Sequence, residues 1–121
     1  MTLHIDPSKS IRTLADEFHA AFPHLKLEYF HQPHDEGMPS PKSDMITEDM
    51  TLGALGSMAE ATEFQLDPEM TAGAFEIAMR DQFGLNIQVF RQSGKQWIQT
   101  TMTDHWTLGH QEDEANHYLN N

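Results

Sequence analysis

The two halves of the chain present the same residue types in the same order. The matched positions combine turn residues with apolar residues, at a shift of 61 residues and then of 60. The matched pairs are Asp6 and Asp67, Pro7 and Pro68, Ser10 and Thr71, Leu14 and Phe75, Phe18 and Met79, Phe22 and Phe83, Leu25 and Leu85, Phe30 and Phe90, and Gln32 and Gln92. A third block, residues 47–53, matches residues 103–109 at a shift of 56. Because the order of the blocks is kept and only loop lengths differ, the sequence predicts an internal duplication, with units at about residues 1–60 and 61–121.

The length of the chain limits how these units fold. A domain of 121 residues is large enough to bury a substantial core. A unit of about 60 residues, by contrast, is only marginally stable alone. The sequence therefore predicts a single domain over residues 1–121, in which the two units share one core.

Local patterns predict the same order of elements in both units. In the first unit they predict a strand over 2–6, a helix capped by Ser10 that ends before Pro23, a strand near 25–30 and a short helix from about 49. A Pro-rich loop over 33–42 interrupts this unit. In the second unit they predict a strand with Phe64 and Leu66 that ends at Asp67-Pro68. A helix capped by Thr71 that ends at Gly84 follows, and then a hairpin over about 85–101. A last helix is expected to begin after Thr103 or Asp104.

These elements predict an α+β fold of two layers, with a mixed sheet and the helices on one face. The prediction follows from the handedness rule, since strand–helix–strand crossovers within one sheet are right-handed and place each long helix on the same side. Each unit is then β-α-β-(β)-α. The inward positions of the two long helices predict five core residues, which are Phe18, Phe22, Phe75, Met79 and Phe83.

The second half also resembles a known family. A family of small, uncharacterised bacterial α+β proteins is similar to this half at Phe83-Gly84-Leu85, Gln88 to Arg91, Ser93-Gly94, Trp97, Thr103-Asp104 and Trp106-Thr107-Leu108. The resemblance covers about residues 83–111. It implies a fold of the same class and no particular activity.

Composition narrows the classes of partner. Nineteen acidic against seven basic residues give a net charge of −12, and the basic residues are scattered along the chain. Such a surface repels phosphate backbones, so no nucleic-acid partner is predicted. The chain has no cysteine and no apolar run long enough for a membrane span or a secretory signal. We therefore predict a cytoplasmic protein, without a membrane partner, that contacts either a basic protein or a second copy of itself.

Histidine offers the one candidate for metal chemistry. His110, Glu114 and His117 lie at positions i, i+4 and i+7 of the predicted last helix and share one face, and the Pro-rich region adds His31 and His34. If this region folded over the helix, these five side chains would form a ligand set of the kind used by zinc or non-haem iron enzymes. A solvated acidic tail explains the same residues without a ligand. No other cofactor is predicted.

Aromatic residues give a second candidate site. Trp97, Phe90 and Arg91 lie close together in the predicted hairpin, and an exposed patch of these residues would be a binding hot spot. The alternative is that Trp97 is a core anchor with its indole N–H satisfied.

Two hypotheses for the function follow. The first is a non-enzymatic acidic protein-interaction module, acting as a homodimer or on a basic partner. The alternative is a small metal-dependent or acid/base enzyme that uses the histidine and carboxylate residues of the 31–36 region and of the last helix. The charge and the lack of a catalytic set favour the first.

Overall fold

The computed structural model describes residues 1–33 and 38–119, with side chains up to residue 117. Within these residues the fold is α+β, as predicted, with two antiparallel sheets and four α-helices. In chain order the elements are β1 (Thr2–Ile5), α1 (Ile11–Ala21), β2 (Leu25–Phe30), α2 (Leu52–Leu55), β3 (Thr62–Gln65), α3 (Ala72–Phe83), β4 (Asn86–Ser93), β5 (Gln96–Gln99) and α4 (Leu108–Leu119).

The strands form two separate sheets, which corrects the predicted single mixed sheet. β1 pairs with β3, whereas β2, β4 and β5 form a three-stranded sheet in the order β2-β4-β5. Every pair is antiparallel. The prediction was wrong because the crossover rule applies to two parallel strands of one sheet. Here α1 connects β1 to a strand of the other sheet, so the rule does not apply.

The register of both sheets brings matched positions together. Leu3 lies opposite Phe64 in the β1–β3 pair, and these residues are 61 positions apart. Glu28 lies opposite Gln88 in the β2–β4 pair, and these are 60 positions apart. Each strand pair thus contains two opposed residues that are separated by the same number of positions, 61 or 60, as the matched pairs of the sequence.

The core draws on both halves of the chain. All five residues predicted for it are buried, which confirms that part of the prediction. The ring centroids of Phe18 and Phe75, one from each long helix, lie 5.2 Å apart. Phe64 of β3 contacts Phe75 in an edge-to-face arrangement at 5.9 Å, a favoured geometry for aromatic pairs. The hydrophobic cluster therefore joins α1, α3 and both sheets.

The starts of the helices use the same hydrogen bonds in both halves. Ser10 and Thr71 cap α1 and α3 as predicted, each accepting from the backbone N–H three residues on. The cap residues also form isolated bridges, Ser10 with Thr51 and Thr71 with Thr107. These bridges tie the first turn of each long helix to the chain just before α2 and α4.

The last helix begins later than predicted. α4 begins at Leu108, and Thr107 accepts a hydrogen bond from the N–H of His110 at 3.0 Å. The preceding residues form a 3-10 turn over Thr101–Thr103. The Trp106 carbonyl accepts from the N–H of Ala72 at 3.0 Å, so the backbone before Thr107 pairs with the start of α3 instead of continuing the helix.

A contact between Ser40 and β5 and the length of the helices are two further features of the fold. The backbone N–H and C=O of Ser40 form two hydrogen bonds of 2.9 Å with the side-chain amide of Gln99, which holds Ser40 against β5. No helix in the described part of the chain is long and apolar enough to cross a membrane.

Candidate binding groove

A groove of about 460 Å³ lies beside β2, between α1 and the segment that follows the Pro-rich loop. Its walls are the solvent side of α1, residues 26–29 of β2, residues 45–49 and Trp97. We call it the α1–β2 groove. We call residues 45–49 the closing segment. Hydrogen bonds hold it on both sides: the N–H of Ile46 donates to the Tyr29 carbonyl at 2.8 Å, and the carbonyl of Met50, the next residue, accepts from the N–H of Ile11 at 2.8 Å.

The groove runs along the β2 edge of the three-stranded sheet. β2 pairs with β4 on one side only. On the other side, His19 Nδ1 lies 2.7 Å from the Leu25 carbonyl oxygen, and the Tyr29 carbonyl accepts from Ile46. Backbone groups of alternate residues face the same side of a strand. The N–H and C=O of Leu27 and the N–H of Tyr29 therefore face this edge as well.

The β2–β4 register supports this orientation. Leu27 lies opposite Val89, and both backbone groups of Val89 bond away from β2: its N–H donates to Glu76 and its C=O accepts from Thr100. Leu27 and Val89 are thus a non-hydrogen-bonded pair. Within residues 1–33 and 38–119, no hydrogen bond reaches Leu27 N–H, Leu27 C=O or Tyr29 N–H from the groove side. We call these three groups the open β2 edge.

Acidic side chains outnumber basic ones in the lining of the groove. Asp16 of α1, Glu28 of β2, and Glu48 and Asp49 of the closing segment line it, against Arg12 and Lys26. Glu28 is paired with Lys26 at 3.3 Å. With His19 neutral, four carboxylates and two cations leave the lining with two net negative charges.

Tyr29 anchors the floor of the groove. Its hydroxyl donates to the Ile11 carbonyl at 2.9 Å and is buried. Burial raises the pKa of this hydroxyl, and the carboxylates of Asp49, Glu17 and Glu28 raise it further. The phenol is therefore a fixed hydrogen-bond donor that ties α1 to β2.

Trp97 forms the outer rim of the groove together with Lys26. The Lys26 ammonium lies 5.0 Å from the Trp97 ring centroid and 5.6 Å from that of Phe90, within the range of cation–π attraction. His19 meets the edge of Trp97 at 6.1 Å. Trp97 is half-buried and Phe90 is buried.

Arg91 is separate from the other two residues of the predicted aromatic patch. Successive residues of a strand face opposite sides, so Arg91 lies on the other face of β4 from Phe90. Its guanidinium lies 5.2 Å from the Trp106 ring centroid and donates to Gln111 Oε1 at 2.6 Å. Arg91 thus binds α4 to the sheet, and the structure brings together Trp97 and Phe90 alone.

The matching place between α3 and β4 is filled. At the shift of 61 residues, Ala15 in the α1–β2 groove corresponds to Glu76 of α3. Glu76 Oε2 accepts from the N–H of Val89 at 2.8 Å and from Gln88 Nε2 at 3.0 Å. Val89 in turn corresponds to Tyr29 at the shift of 60 residues. The carboxyl of Glu76 therefore satisfies the backbone donor whose counterpart on β2 is open.

Burial changes the acidity of Glu76. The residue is 6 % exposed, and this desolvation raises the pKa of its carboxyl to about 8. The hydrogen bond from Val89 opposes the change, and the nearby charge of Asp104 adds to it. At neutral pH the carboxyl is therefore mostly protonated, which removes an uncompensated charge from the interior.

The described residues of the predicted metal site lie on α4 and just after β2. His110 is exposed, and its ring packs edge-on against Trp106 at 4.5 Å, while Glu114 and His117 lie further along the exposed part of α4. The backbone N–H of His31 donates to the Asp44 carbonyl at 3.1 Å. His34 lies outside the described residues. Among the described residues, no group of three or more histidine, aspartate or glutamate side chains could hold a metal ion, and the metal site stays a prediction.

Sequence reasoning missed a contact between α4 and the turn before β2. The carboxylate of Glu112 accepts from the backbone N–H of His24 at 2.7 Å, and its other oxygen meets the ring Nδ1 of His24. No local pattern indicates a pairing between residues 88 positions apart. Glu76, in contrast, had a signal, because it is the one charged residue among the inward positions of α3.

Comparison with known proteins gave no match. No family model, no curated protein and no solved structure is significantly similar to this chain.

Proposed function

We propose that this protein is a non-enzymatic interaction module that binds a basic segment of a partner protein in the α1–β2 groove. One observation carries the proposal: the groove combines the open β2 edge with a lining of net negative charge. Strand edges with unpaired backbone groups are the sites at which peptides commonly add to a sheet. The groove adds walls and a half-buried aromatic rim, which an isolated edge lacks.

Charge supports a basic partner. The lining has four carboxylates against two cations, and the whole chain has a net charge of −12. Complementary charge accelerates association and suppresses binding of partners with the wrong sign. The same field opposes nucleic acid. The absence of cysteine is compatible with the cytoplasm as the place where the partner is met.

We further propose that the fold is an internal duplication about a pseudo-two-fold axis, with one shared core. The central pairs Leu3–Phe64 and Glu28–Gln88 support it, because a two-fold axis through an antiparallel strand pair relates residues that lie opposite each other. Matched hydrogen bonds support it too. Gly53 donates to Pro7 and Gly109 donates to Pro68, both at 2.9 Å. On this proposal the groove is the unfilled copy of a place that Glu76 fills in the second unit.

Fluorescence anisotropy with a labelled eight-residue peptide of alternating lysine and valine tests the proposed function. We expect binding that weakens as salt rises, and no binding of the same peptide with glutamate in place of lysine. The double variant Asp16→Lys/Glu48→Lys should bind at least about tenfold more weakly. The control Glu60→Lys/Glu69→Lys changes the net charge equally on residues that do not line the groove, and should retain most of the affinity.

Equal losses in the two variants would mean that the peptide responds only to net charge, which overturns the groove. Binding of the glutamate peptide would overturn the basic partner. A protein that instead sediments as a dimer, with the dimer lost in Asp16→Lys/Glu48→Lys, would identify a second copy of the chain as the occupant. Stoichiometric zinc or iron in the purified protein, lost in His110→Ala/His117→Ala, would favour the alternative metal-dependent enzyme.

A further inference from the structure

We propose that the basic segment binds by strand addition, and that a backbone carbonyl of the ligand takes the place on β2 that the Glu76 carboxyl takes on β4. This inference rests on the proposed function and specifies its mode. It rests on the geometry of two matched positions, one filled by the chain itself and one open.

The order of donors and acceptors on the open β2 edge fits an extended peptide. Leu27 offers an N–H and a C=O, and Tyr29 offers a second N–H two residues further along. A peptide residue opposite Leu27 can accept from its N–H and donate to its C=O, and the next ligand carbonyl on that side accepts from Tyr29. The bonds of the Leu25 and Tyr29 carbonyls limit this pairing to a short segment.

The second unit shows which acceptor the N–H of Tyr29 lacks. The N–H of Val89 would face the same kind of edge, and Glu76 supplies its acceptor at 2.8 Å. At the matching position of α1, Ala15 has no side-chain acceptor, and it lines the groove. An unpaired donor shielded from bulk water has a free-energy cost, which a ligand carbonyl removes.

The alternating side chains of an added strand also match the residues on the two sides of the groove. Successive ligand side chains point to opposite faces. One set faces Lys26, Glu28 and Trp97 at the outer rim, whereas the other faces α1, where Asp16 is exposed. A basic side chain in the second set meets the Asp16 carboxylate and fixes the register of the peptide.

The substitution Ala15→Glu tests this mode, because it gives α1 the carboxyl that Glu76 gives α3. If the new side chain accepts from Tyr29 N–H, the lysine–valine peptide should bind at least about tenfold more weakly. Charge alone predicts the opposite, since an added carboxylate attracts a basic peptide. Ala20→Glu is the matched control, because Ala20 is exposed on the same helix and does not line the groove, so this variant should bind as tightly as the natural protein or slightly more tightly.

Modified peptides test the same mode on the unaltered protein. N-methylation of the valine amides in one peptide and of the lysine amides in another removes one alternating set of N–H donors in each. Strand addition predicts that one set abolishes binding and that the other leaves it within about twofold, because only one set faces β2. Equal losses from both sets, or unchanged binding by Ala15→Glu, would overturn strand addition. The proposed function would survive that result if Asp16→Lys/Glu48→Lys still weakened binding.

Discussion

The α1–β2 groove and the matching place between α3 and β4 have the same frame and different contents. In both, a capped helix packs on a strand, and the chain after that strand returns to the helix start. Between α3 and β4 a buried glutamate bonds to the strand edge. Between α1 and β2 the helix presents Ala15, and a groove of about 460 Å³ remains.

The comparison indicates that one side chain determines whether this edge is closed. A carboxyl on α3 supplies the acceptor that β5 cannot supply, because the ladder of β5 ends at the pair Phe90–Gln99. At the matching position of α1, Ala15 has no such group, and the closing segment bonds to β2 through Ile46, whose N–H donates to the Tyr29 carbonyl. The open β2 edge thus lies beside α1, whereas Glu76 closes the matching position of β4 beside α3.

The largest expected effect concerns the core beneath both places. Phe22→Ala and Phe83→Ala remove matched, buried rings from the C-cap of α1 and the last residue of α3. Each should lower the free energy of unfolding by about 3–5 kcal/mol. Urea unfolding followed by far-UV circular dichroism and by tryptophan fluorescence measures it. Gln82→Ala, on the exposed face of α3, should change stability by less than about 0.5 kcal/mol.

The two signals also test whether the halves share one core. Both tryptophans lie in the second half, whereas circular dichroism reports the helices of both halves. In a shared core, Phe22→Ala shifts both transitions together. If fluorescence stayed unchanged while circular dichroism shifted, the halves would be separate cores and the comparison would describe two independent domains.

Sequence reasoning predicted the local elements better than their arrangement. The caps at Ser10 and Thr71, the exit at Gly84 with φ 69° and the hairpin follow from short-range chemistry, and each was predicted. The structure places the turn of this hairpin at Gly94, with φ 63°. Sheet order depends on contacts between residues about 60 positions apart, such as Leu3 with Phe64. No local pattern specifies such contacts, so the separation into two sheets was missed.

The candidate site was predicted only in part. Trp97 and Phe90 were identified as aromatic residues of one hairpin, and they do lie on one face with Lys26 between them. The open β2 edge could not be predicted, because it depends on which strand neighbours β2 and on where residues 45–49 cross. No residue pattern predicts an unpaired backbone group, whereas a glutamate at position 76 on an apolar helix face can be recognised from the sequence.

The next effect is the pH dependence of the free energy of unfolding, to which Glu76 between α3 and β4 contributes. In the folded protein the pKa of Glu76 is about 8, against an ordinary value of 4.5, so the native state binds this proton more tightly than the unfolded chain does. The resulting stabilisation is complete below pH 4.5 and is lost as the pH rises to about 8, at a limiting slope of about 1.4 kcal/mol per pH unit.

Glu76→Gln isolates this contribution, because glutamine keeps a carbonyl oxygen for the N–H of Val89 and cannot ionise. Urea unfolding at pH 5, 6, 7 and 8 should show the natural protein losing more stability across the series than the variant does. Ala15→Gln is the matched control in the open place, and it should keep the natural slope. Parallel curves for Glu76→Gln and the natural protein would show that Glu76 ionises without destabilising the fold.

The smallest expected effect is a difference in stability between alanine substitutions at the first turns of α2 and α4. Gly53 of α2 and Gly109 of α4 make matched hydrogen bonds of 2.9 Å to Pro7 and Pro68. A Cβ added at Gly53 would lie 2.9 Å from both the Cβ and the carbonyl oxygen of Pro7, whereas one at Gly109 would lie 3.3 Å from the nearest atom, the Pro68 oxygen. Alanine is favoured over glycine inside a helix by about 1 kcal/mol, which offsets a mild contact and not a backbone clash. We therefore expect Gly53→Ala to destabilise the protein by about 1–3 kcal/mol and Gly109→Ala to be nearly neutral.

Thermal unfolding measures the difference, and Ala54→Gly on the exposed side of α2 gives the propensity contribution alone. Equal losses at the two glycines would mean that the two helix starts are packed alike, and the difference between the units would then be confined to Ala15 and Glu76.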